Sequence, residues 1–485
     1  MTERIPLITA ERSRQRDAQG INEGIPSLVL MERAALGLCD LLEEKAGPAA
    51  SVVIVCGPGN NGADGFACAR ILQERGHKVT CVWHEGSGHV LLQKSICEKR
   101  HIPVTDDISV IHHGDWIVDA LFGSGLSRPV TGLYACWIDT INAAGKPVLA
   151  IDLPSGMHGT TGVHAGAVIN ASVTACIDCL KQGACLPASL PVTGEMRTVP
   201  IGLLPETGGD TFLIDDALVC GLLEARSDFS YKGTFGKVVL AGGSPAMAGA
   251  ISMALAACFH SGCGLLTAAV PACLADMVHN RHPEAMLLPL ETMDEAGARA
   301  VLSAGFTLLG CGNGLGCSQN TAAFVQTLLA SDLPVVLDAD GISVCDPLWL
   351  DRQAPTILTP HVGEFSRLTG LSIEEIVADP IEKARTFSLD HPQVVLVLKH
   401  TATYVAANGI VYVLCRPDSR LAKGGSGDVL CGIIIGLAAS QTPLTAAIGG
   451  VWAHNMSAAL SRKDPRFFTF EDLIAGLDAA WQALK

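Results

Sequence analysis

The chain is poor in charge. Lys, Arg, Asp and Glu make up only 17% of its 485 residues, against 49% apolar residues. Disorder of the whole chain is thereby excluded, because disordered sequences are low in apolar residues and high in charge. Basic residues are the scarcer sign, with 33 Lys and Arg against 48 Asp and Glu and a net charge of −15. No basic stripe marks a nucleic-acid face, and the acidity reads as solubility. No apolar run approaches the roughly 20 residues of a membrane span. The polar stretch 1–20 also lacks the apolar core of a signal peptide. Paired zinc-type cysteine motifs are missing as well. The 18 cysteines are scattered through apolar runs, with one CxxC, Cys176-Ile177-Asp178-Cys179, in a strand-like stretch. Buried free thiols in a reducing, cytoplasmic setting are expected, with no nucleic-acid and no membrane partner.

Glycine, by contrast, is abundant. Its 51 residues show no collagen-like triplet period and gather in short loops beside apolar runs. That placement suggests backbone facing a ligand. At about 150 residues per domain, two or three domains are expected. The run SVVIVC (51–56) ends in a glycine loop, and helical spacing follows over 65–75. Further strands are expected over 78–83, 115–121, 147–153 and 167–177. Near-continuous apolar strands alternating with helices imply a mostly parallel sheet covered on both faces. The polar stretch LLPETGGD (203–210) breaks the pattern, which restarts at GKVVLAGG (236–243). An Ala-rich helix is expected over 245–263, then strands over 265–270, 306–310, 334–338, 393–399 and 409–414, then a final buried helix from Asp428. The fold class is therefore α/β, with two doubly wound domains in series, 1–207 and 208–485.

Three strand ends in the first half carry an aspartate and glycine. In Gly57-Pro58-Gly59-Asn60-Asn61-Gly62-Ala63-Asp64-Gly65 the glycines admit a close ligand, and a helix start offers N–H groups. This is not the G-x-G-x-x-G dinucleotide fingerprint. Asn60, Asn61 and Asp64 bring hard oxygen atoms suited to an alkali or alkaline-earth cation or to hydroxyls; the plain alternative is a capped turn with Asp64 as N-cap. Asp119-Ala120-Leu121-Phe122-Gly123 and Asp152-Leu153-Pro154-Ser155-Gly156 repeat the pattern. In an open α/β sheet all three converge on one crevice.

Together NNGADGFACAR, VDALFGSGL and IDLPSG resemble the NAD(P)H-hydrate epimerase family, across about residues 1–205. The resemblance implies a Rossmann-like domain. It implies that Asn60, Asn61, Gly62, Ala63 and Asp64 line the hydrated nicotinamide nucleotide. Gly123, Ser124, Gly125, Leu126, Ser127, Arg128 and Pro129 would complete the lining with Asp152. Asn61, Asp119 and Ser155 are implied as a K+ site, with Asp119 doubling as acid/base and Lys181 as the weaker candidate. Ala63 stands where the family usually has glycine, and Met157-His158 replaces a more acidic stretch.

In the second half, Lys423-Gly424-Gly425-Ser426-Gly427-Asp428 precedes an apolar helical run. Glycine N–H groups at a helix start form an anion hole, and Asp428 sits where a base would meet an incoming hydroxyl. A capped helix start is the plain alternative. GGSGD resembles the ribokinase-like superfamily. With KGTFG, GGS, GCGNGLG, DADG and TPHVGEF in this order, the half closely resembles the ADP- or ATP-dependent NAD(P)H-hydrate dehydratases over about 210–485. The resemblance implies that Ala250, Gly314, His361 and Asp428 contact the hydrated dinucleotide. Lys399, His400, Thr401, Ala402, Thr403 and Gly427 would contact the adenine nucleotide, and Mg2+ is expected with it. His400 stands where the family often has glycine, and Ser426 where it usually has threonine.

The expected protein repairs NADH hydrate and NADPH hydrate. One domain interconverts the R and S epimers, and the other dehydrates the S form at the expense of ADP or ATP. The alternative is a ribokinase-like small-molecule kinase with a non-catalytic nucleotide-binding N-terminal module. A homo-oligomer is expected from the apolar excess.

Overall fold

The computed structural model describes residues 4–126, 128–164 and 166–484. Two compact units divide the chain, one spanning Ile5–Thr211 and the other running from Phe212 onward with Arg4.

In the first unit Leu7–Ile8 pairs separately with Leu180–Lys181, and the strands of the main sheet are β1 (Ser51–Cys56), β2 (Lys78–Val82), β3 (Val104–Thr105), β4 (Trp116–Ala120), β5 (Val148–Ile151), β6 (Val173–Ile177) and β7 (Glu195–Val199). They form a wholly parallel sheet in the order β3-β2-β1-β4-β5-β6-β7. The period of two along β1 explains its two-sided burial. Val52 and Ile54 join one core with the helices α1 (Ser27–Ala46) and α2 (Asn60–Glu74), while Val53 and Val55 join the core on the opposite face. Chain direction across the sheet reverses between β1 and β4, which opens a crevice at their carboxyl ends.

Several expectations shift here. The Asn60–Asp64 segment is no loop: α2 begins at Asn60 with Gly59 as its N-cap, so Asp64 lies inside the helix instead of capping it. The strand expected over 167–177 shrinks to β6. Upstream of it the backbone bonds to irregular segments instead of in a ladder, Ile169 N to Ser155 O and Ala171 N to Val192 O. The edge strands β3 and β7 gave no sequence signal, one being two residues long and the other, EMRTV, mostly exposed.

The second unit holds a ten-stranded sheet. Its strands are β8 (Thr211–Leu213), β9 (Lys237–Ala241), β10 (Leu265–Pro271), β11 (Met286–Leu290), β12 (Leu308–Cys311), β13 (Val335–Leu337), β14 (Thr356–Leu358), β15 (Val394–Lys399), β16 (Thr403–Ala407) and β17 (Ile410–Leu414). The order is β8-β17-β16-β15-β14-β13-β12-β9-β10-β11. From β9 to β15 neighbours are parallel, and β15-β16-β17 form an antiparallel meander. The switch point falls between β9 and β12.

Four helices matter below: α3 (Ala248–Phe259), α4 (Val362–Thr369), α5 (Ser426–Ala438) and α6 (Pro443–Ala459). The helix expected over 245–263 is trimmed at both ends to α3. The helix expected from Asp428 starts at Ser426 and is not the last, since α6 and two shorter helices follow. Close packing of α5 on α3 requires glycine. A Cβ on Gly432 would lie 2.3 Å from the Ala254 carbonyl oxygen, and one on Gly436 2.6 Å from that of Cys258. Val429, Ile433 and Trp452 sit in the large core beneath.

Candidate functional site

In the first unit the neighbouring strands β1, β4 and β5 deliver three segments to one cavity of about 580 Å³. Asn60, Asn61 and Asp64 line it from α2, Gly123, Ser124, Gly125, Leu126 and Arg128 from the segment after β4, and Asp152 from the segment after β5. Gly62 and Ala63 are buried beneath this lining. A Cβ on Gly62 would lie 2.1 Å from the Gly57 carbonyl oxygen, so glycine lets the helix start against the strand end. Pro129 is exposed and outside the lining, and Ser127 lies outside the described residues.

Asp152 adopts φ 68°, the left-handed region, and so turns its carboxylate inward. Its Oδ2 accepts from Ser124 N at 2.8 Å, and its Oδ1 lies 2.5 Å from Nζ of buried Lys181. Burial alone would raise Asp152, but the Lys181 charge outweighs it and holds the carboxyl below its ordinary value. Lys181 is raised despite burial, through Asp152. Asp64 has no such cation. Burial, then the charges of Asp152 and Asp17, push it well above the usual carboxylate range. The buried Nδ2 of Asn61 has no hydrogen-bond partner among the described residues. An unsatisfied buried donor costs about 1–3 kcal/mol, which a ligand would recover.

Asp119 lies deeper, fully buried at the end of β4 and not on the cavity wall. Ser155 donates to it twice, from Oγ at 2.6 Å and from N at 2.8 Å, and Leu121 N donates at 3.1 Å. Burial pushes its carboxyl up to about 6 against these three bonds. The Phe122 carbonyl oxygen stands 3.1 Å from Ser155 Oγ. Asp119 and Ser155 thus share a knot of hard oxygen atoms. Asn61 opens into the cavity above, where a Cβ on Gly123 would meet both its Oδ1 (3.1 Å) and Asp152 Oδ2 (2.9 Å).

In the second unit the segments after β9, β12, β13, β14 and β15 meet the N-terminus of α5. Asp428, in its first turn, accepts from Asn313 Nδ2 at 2.8 Å. The same nitrogen donates to Asp338 Oδ2 at 3.1 Å. Asp338 Oδ1 in turn accepts from Thr359 Oγ1 at 2.7 Å and from Lys399 Nζ at 2.9 Å. Burial pushes Asp428 up to about 6, the Asn313 bond opposing it. Burial works against the charge of Lys399, but Asp338 and Glu364 prevail and raise it. That ammonium lies beside the helix start: a Cβ on Gly427 would stand 3.4 Å from Nζ. A cation therefore lies at the start of α5, where the helix dipole also favours an anion.

Ala250, in the first turn of α3, packs on Gly314, whose φ is 65° and whose Cβ would lie 3.1 Å from that of Ala250. His361 takes a role that sequence reading did not foresee. It caps α4: its Nδ1 accepts from Gly363 N (2.9 Å) and Glu364 N (3.2 Å), while Glu364 Oε2 accepts from His361 N at 2.9 Å. TPHVGEF is thus a capping box, and the half-exposed ring keeps Nε2 near Glu364 Oε1 at 3.3 Å. Lys399 ends β15, His400, Thr401 and Ala402 form the turn, and Thr403 begins β16. Asp17 on the first cavity wall was also missed, while Asn313, Asp338 and Thr359 at α5 lie in the GCGNGLG, DADG and TPHVGEF motifs, which carried no role for them. Asp17 sits in the helix Ala10–Asn22, with no motif around it.

Both sites find counterparts among known proteins. Residues 238–475 match the family model described as NAD(P)H-hydrate dehydratase, and residues 27–183 match that described as YjeF-related protein N-terminus. The bifunctional NAD(P)H-hydrate repair enzyme Nnr of Coxiella burnetii is 34% identical over 456 residues, covering 92% of each chain. Among solved structures, the ADP/ATP-dependent NAD(P)H-hydrate dehydratase of Bacillus subtilis, co-crystallised with ATP and Mg2+, is similar at 29% identity and a TM-score of 0.53. The match covers 56% of this chain and 98% of that one. A ribokinase-like superfamily protein of Enterococcus faecalis shares the fold of the second unit at 24% identity and a TM-score of 0.51, covering 58% of this chain and 99% of that chain.

Proposed function

Because the chain belongs to the bifunctional NAD(P)H-hydrate repair enzymes, we propose that it epimerises the R and S hydrates of NADH and NADPH in its first unit. Its second unit dehydrates the S form with ADP or ATP. The carrying observation is the chain Asp428–Asn313–Asp338–Lys399 at the glycine-opened start of α5.

In dehydration, Asp428 takes the proton of the C6 hydroxyl as its oxygen attacks the terminal phosphorus of the nucleotide. Gly427 N–H and Lys399 balance the charge on the phosphoryl group, so positioning and electrostatics supply the catalysis. The C6–O bond of the phosphorylated hydrate then breaks, driven by the ring-nitrogen lone pair. Loss of a proton from C5 restores the dihydronicotinamide, leaving phosphate and AMP or ADP. Ala250, Gly314 and His361 would border the hydrated dinucleotide. The turn His400-Thr401-Ala402-Thr403 would border the adenine nucleotide. Among the described residues no group of three His, Cys, Asp or Glu side chains is placed to hold a metal ion. A magnesium ion would therefore be held largely by phosphate oxygens, in keeping with its preference for water and substrate ligands.

In the first unit the cavity lining, Asn60 to Asp64, Gly123 to Arg128 and Asp152, would hold the hydrated ring and its nucleotide. Asp119, Ser155 and Asn61 fit a potassium ion, since their donors are hard oxygens with one carboxylate among them. Such an ion would supply fixed positive charge beneath the substrate. With three donors already on its carboxylate and no place on the wall, Asp119 suits that duty better than proton transfer. No helix among the described residues is long and apolar enough to cross a membrane, and a cytoplasmic site of action fits the substrate.

The test is an R/S mixture of NADH hydrate with ADP, magnesium and potassium, followed by the absorbance of restored NADH. Recovery of both epimers with one phosphate per NADH is expected. Recovery that stops at the S fraction rejects the epimerase reading. A stable phosphorylated product rejects the dehydratase reading.

A further inference from the structure

One wall of the first cavity comes from outside the motifs. The helix Ala10–Asn22 lays Ser13, Arg14, Asp17 and Ile21 along it. Arg16 fixes how that helix sits. Its guanidinium makes a two-pronged bond to Asp178 at 2.6 and 3.0 Å, and reaches Glu206 at 3.3 Å and the Leu204 carbonyl at 2.8 Å. Asp178 follows β6 and is held at φ 64°. The clasp leaves the next residue, Asp17, at the cavity, where its carboxylate accepts no hydrogen bond among the described residues. Asp64 and the Lys181–Asp152 ion pair line the same space. Three carboxyls therefore share one lysine, and Asp152 occupies it.

Resting on the epimerase reading above, we propose that Asp17 is a catalytic residue of epimerisation that works as a proton-carrying pair with Asp64. The ionised member takes the C6 hydroxyl proton as the C6–N1 bond breaks and its electron pair returns to the ring nitrogen. The protonated member gives its proton to that nitrogen. The resulting open aldehyde turns about C5–C6. Closure runs the same transfers backward on the other face: the nitrogen loses its proton as N1–C6 forms, and the carbonyl oxygen gains one. No atom or electron is gained or lost. Neither member has a paired cation. Burial raises both carboxyls. Asp64 is raised further by Asp152 and Asp17; for Asp17 the charge of Lys181 opposes the rise, Asp152 and Asp178 add to it, and Arg16 opposes it. Both carboxyls line the same cavity, and each holds its proton more tightly than a free aspartate.

The full-length Asp17→Asn variant is tested on purified R hydrate without nucleotide, following the R:S ratio by chromatography. Its kcat is expected to fall about 10²- to 10⁴-fold, the usual worth of a positioned acid or base, with KM within about threefold. Dehydration of the S hydrate by the same protein should be unchanged, and Asp17→Glu should restore part of the kcat. Wild-type kcat in Asp17→Asn, or a loss confined to KM, overturns the proposal. Should Asp17→Asn fail to fold, the kcat–pH profile of Asp17→Glu decides instead: a shifted limb supports the pair, and an unshifted one overturns it. Absence of epimerisation in the wild-type chain would overturn the epimerase reading itself.

Discussion

Asp428 accepts a hydrogen bond from Asn313, and the same amide nitrogen ties it to Asp338, which Lys399 and Thr359 hold from the other side. Two nearby carboxylates, one paired and one not, divide the work. Asp338 anchors the lysine, and Asp428 stays unpaired and is pushed up to about 6 by burial. A base must be ionised to act, so kcat/KM for dehydration should fall about tenfold per pH unit below about 6. Stability runs the other way. The unfolded carboxyl loses its proton near 3.8 and the folded one near 6, so between those values the unfolded chain binds fewer protons. Rising pH therefore costs stability through that window, and the cost persists above it. Asp428→Asn removes the buried charge. It should melt at a higher temperature than wild type at pH 8, lose at least about 10²-fold in dehydration, and epimerise normally. A lower melting point would mean that Asp428 is held by contacts other than these.

At the scale of elements, helix starts carry both sites. α5 begins after Gly425, whose φ is 91° and whose Cβ would lie 2.4 Å from Met253 Sδ on α3. Gly425→Ala meets both a disfavoured backbone region and a neighbouring side chain. It should displace the first turn and with it Gly427 and Asp428. The expected result is dehydration reduced at least tenfold with epimerisation intact, read by the two assays on one preparation. Legibility in the sequence follows the same division. Apolar runs such as SVVIVC and VVLVLK stand out because burial on both faces demands continuous Val, Ile and Leu, and the glycines after SVVIVC and around the helix start at Ser426 marked both ligand crevices. Capping was less legible. The Asn60–Asp64 segment reads as a loop because Asn, Gly and Asp are turn residues, yet Gly59 ends the loop and the polar residues ride on α2. His361 draws its weight from the TPHVGEF block, and the sequence does not show that its Nδ1 accepts from two helix N–H groups. Asp17 was illegible for a different reason: only the Arg16–Asp178 clasp, 162 residues apart in sequence, carries it to the cavity.

At the scale of the whole chain, each unit has its own sheet, its own core and its own cavity or helix-end candidate site, and one proposed reaction is assigned to each. The product of the first is the substrate of the second, and nothing in the chemistry of either step requires the other to occur on the same polypeptide. Two single-defect chains should therefore complement each other. Asn61→Ala removes the unpartnered amide from the first cavity and should leave dehydration of the S hydrate untouched. Asp428→Asn should do the reverse. Given pure R hydrate and ADP, neither variant alone should regenerate NADH beyond the slow spontaneous background. An equimolar mixture should regenerate all of it, at a rate that rises with the concentration of either protein. The reading is the absorbance of NADH against time. Full recovery by the mixture means that the S hydrate is released and recaptured. Recovery that occurs only when both intact sites share one chain means that the hydrate passes directly from one unit to the other.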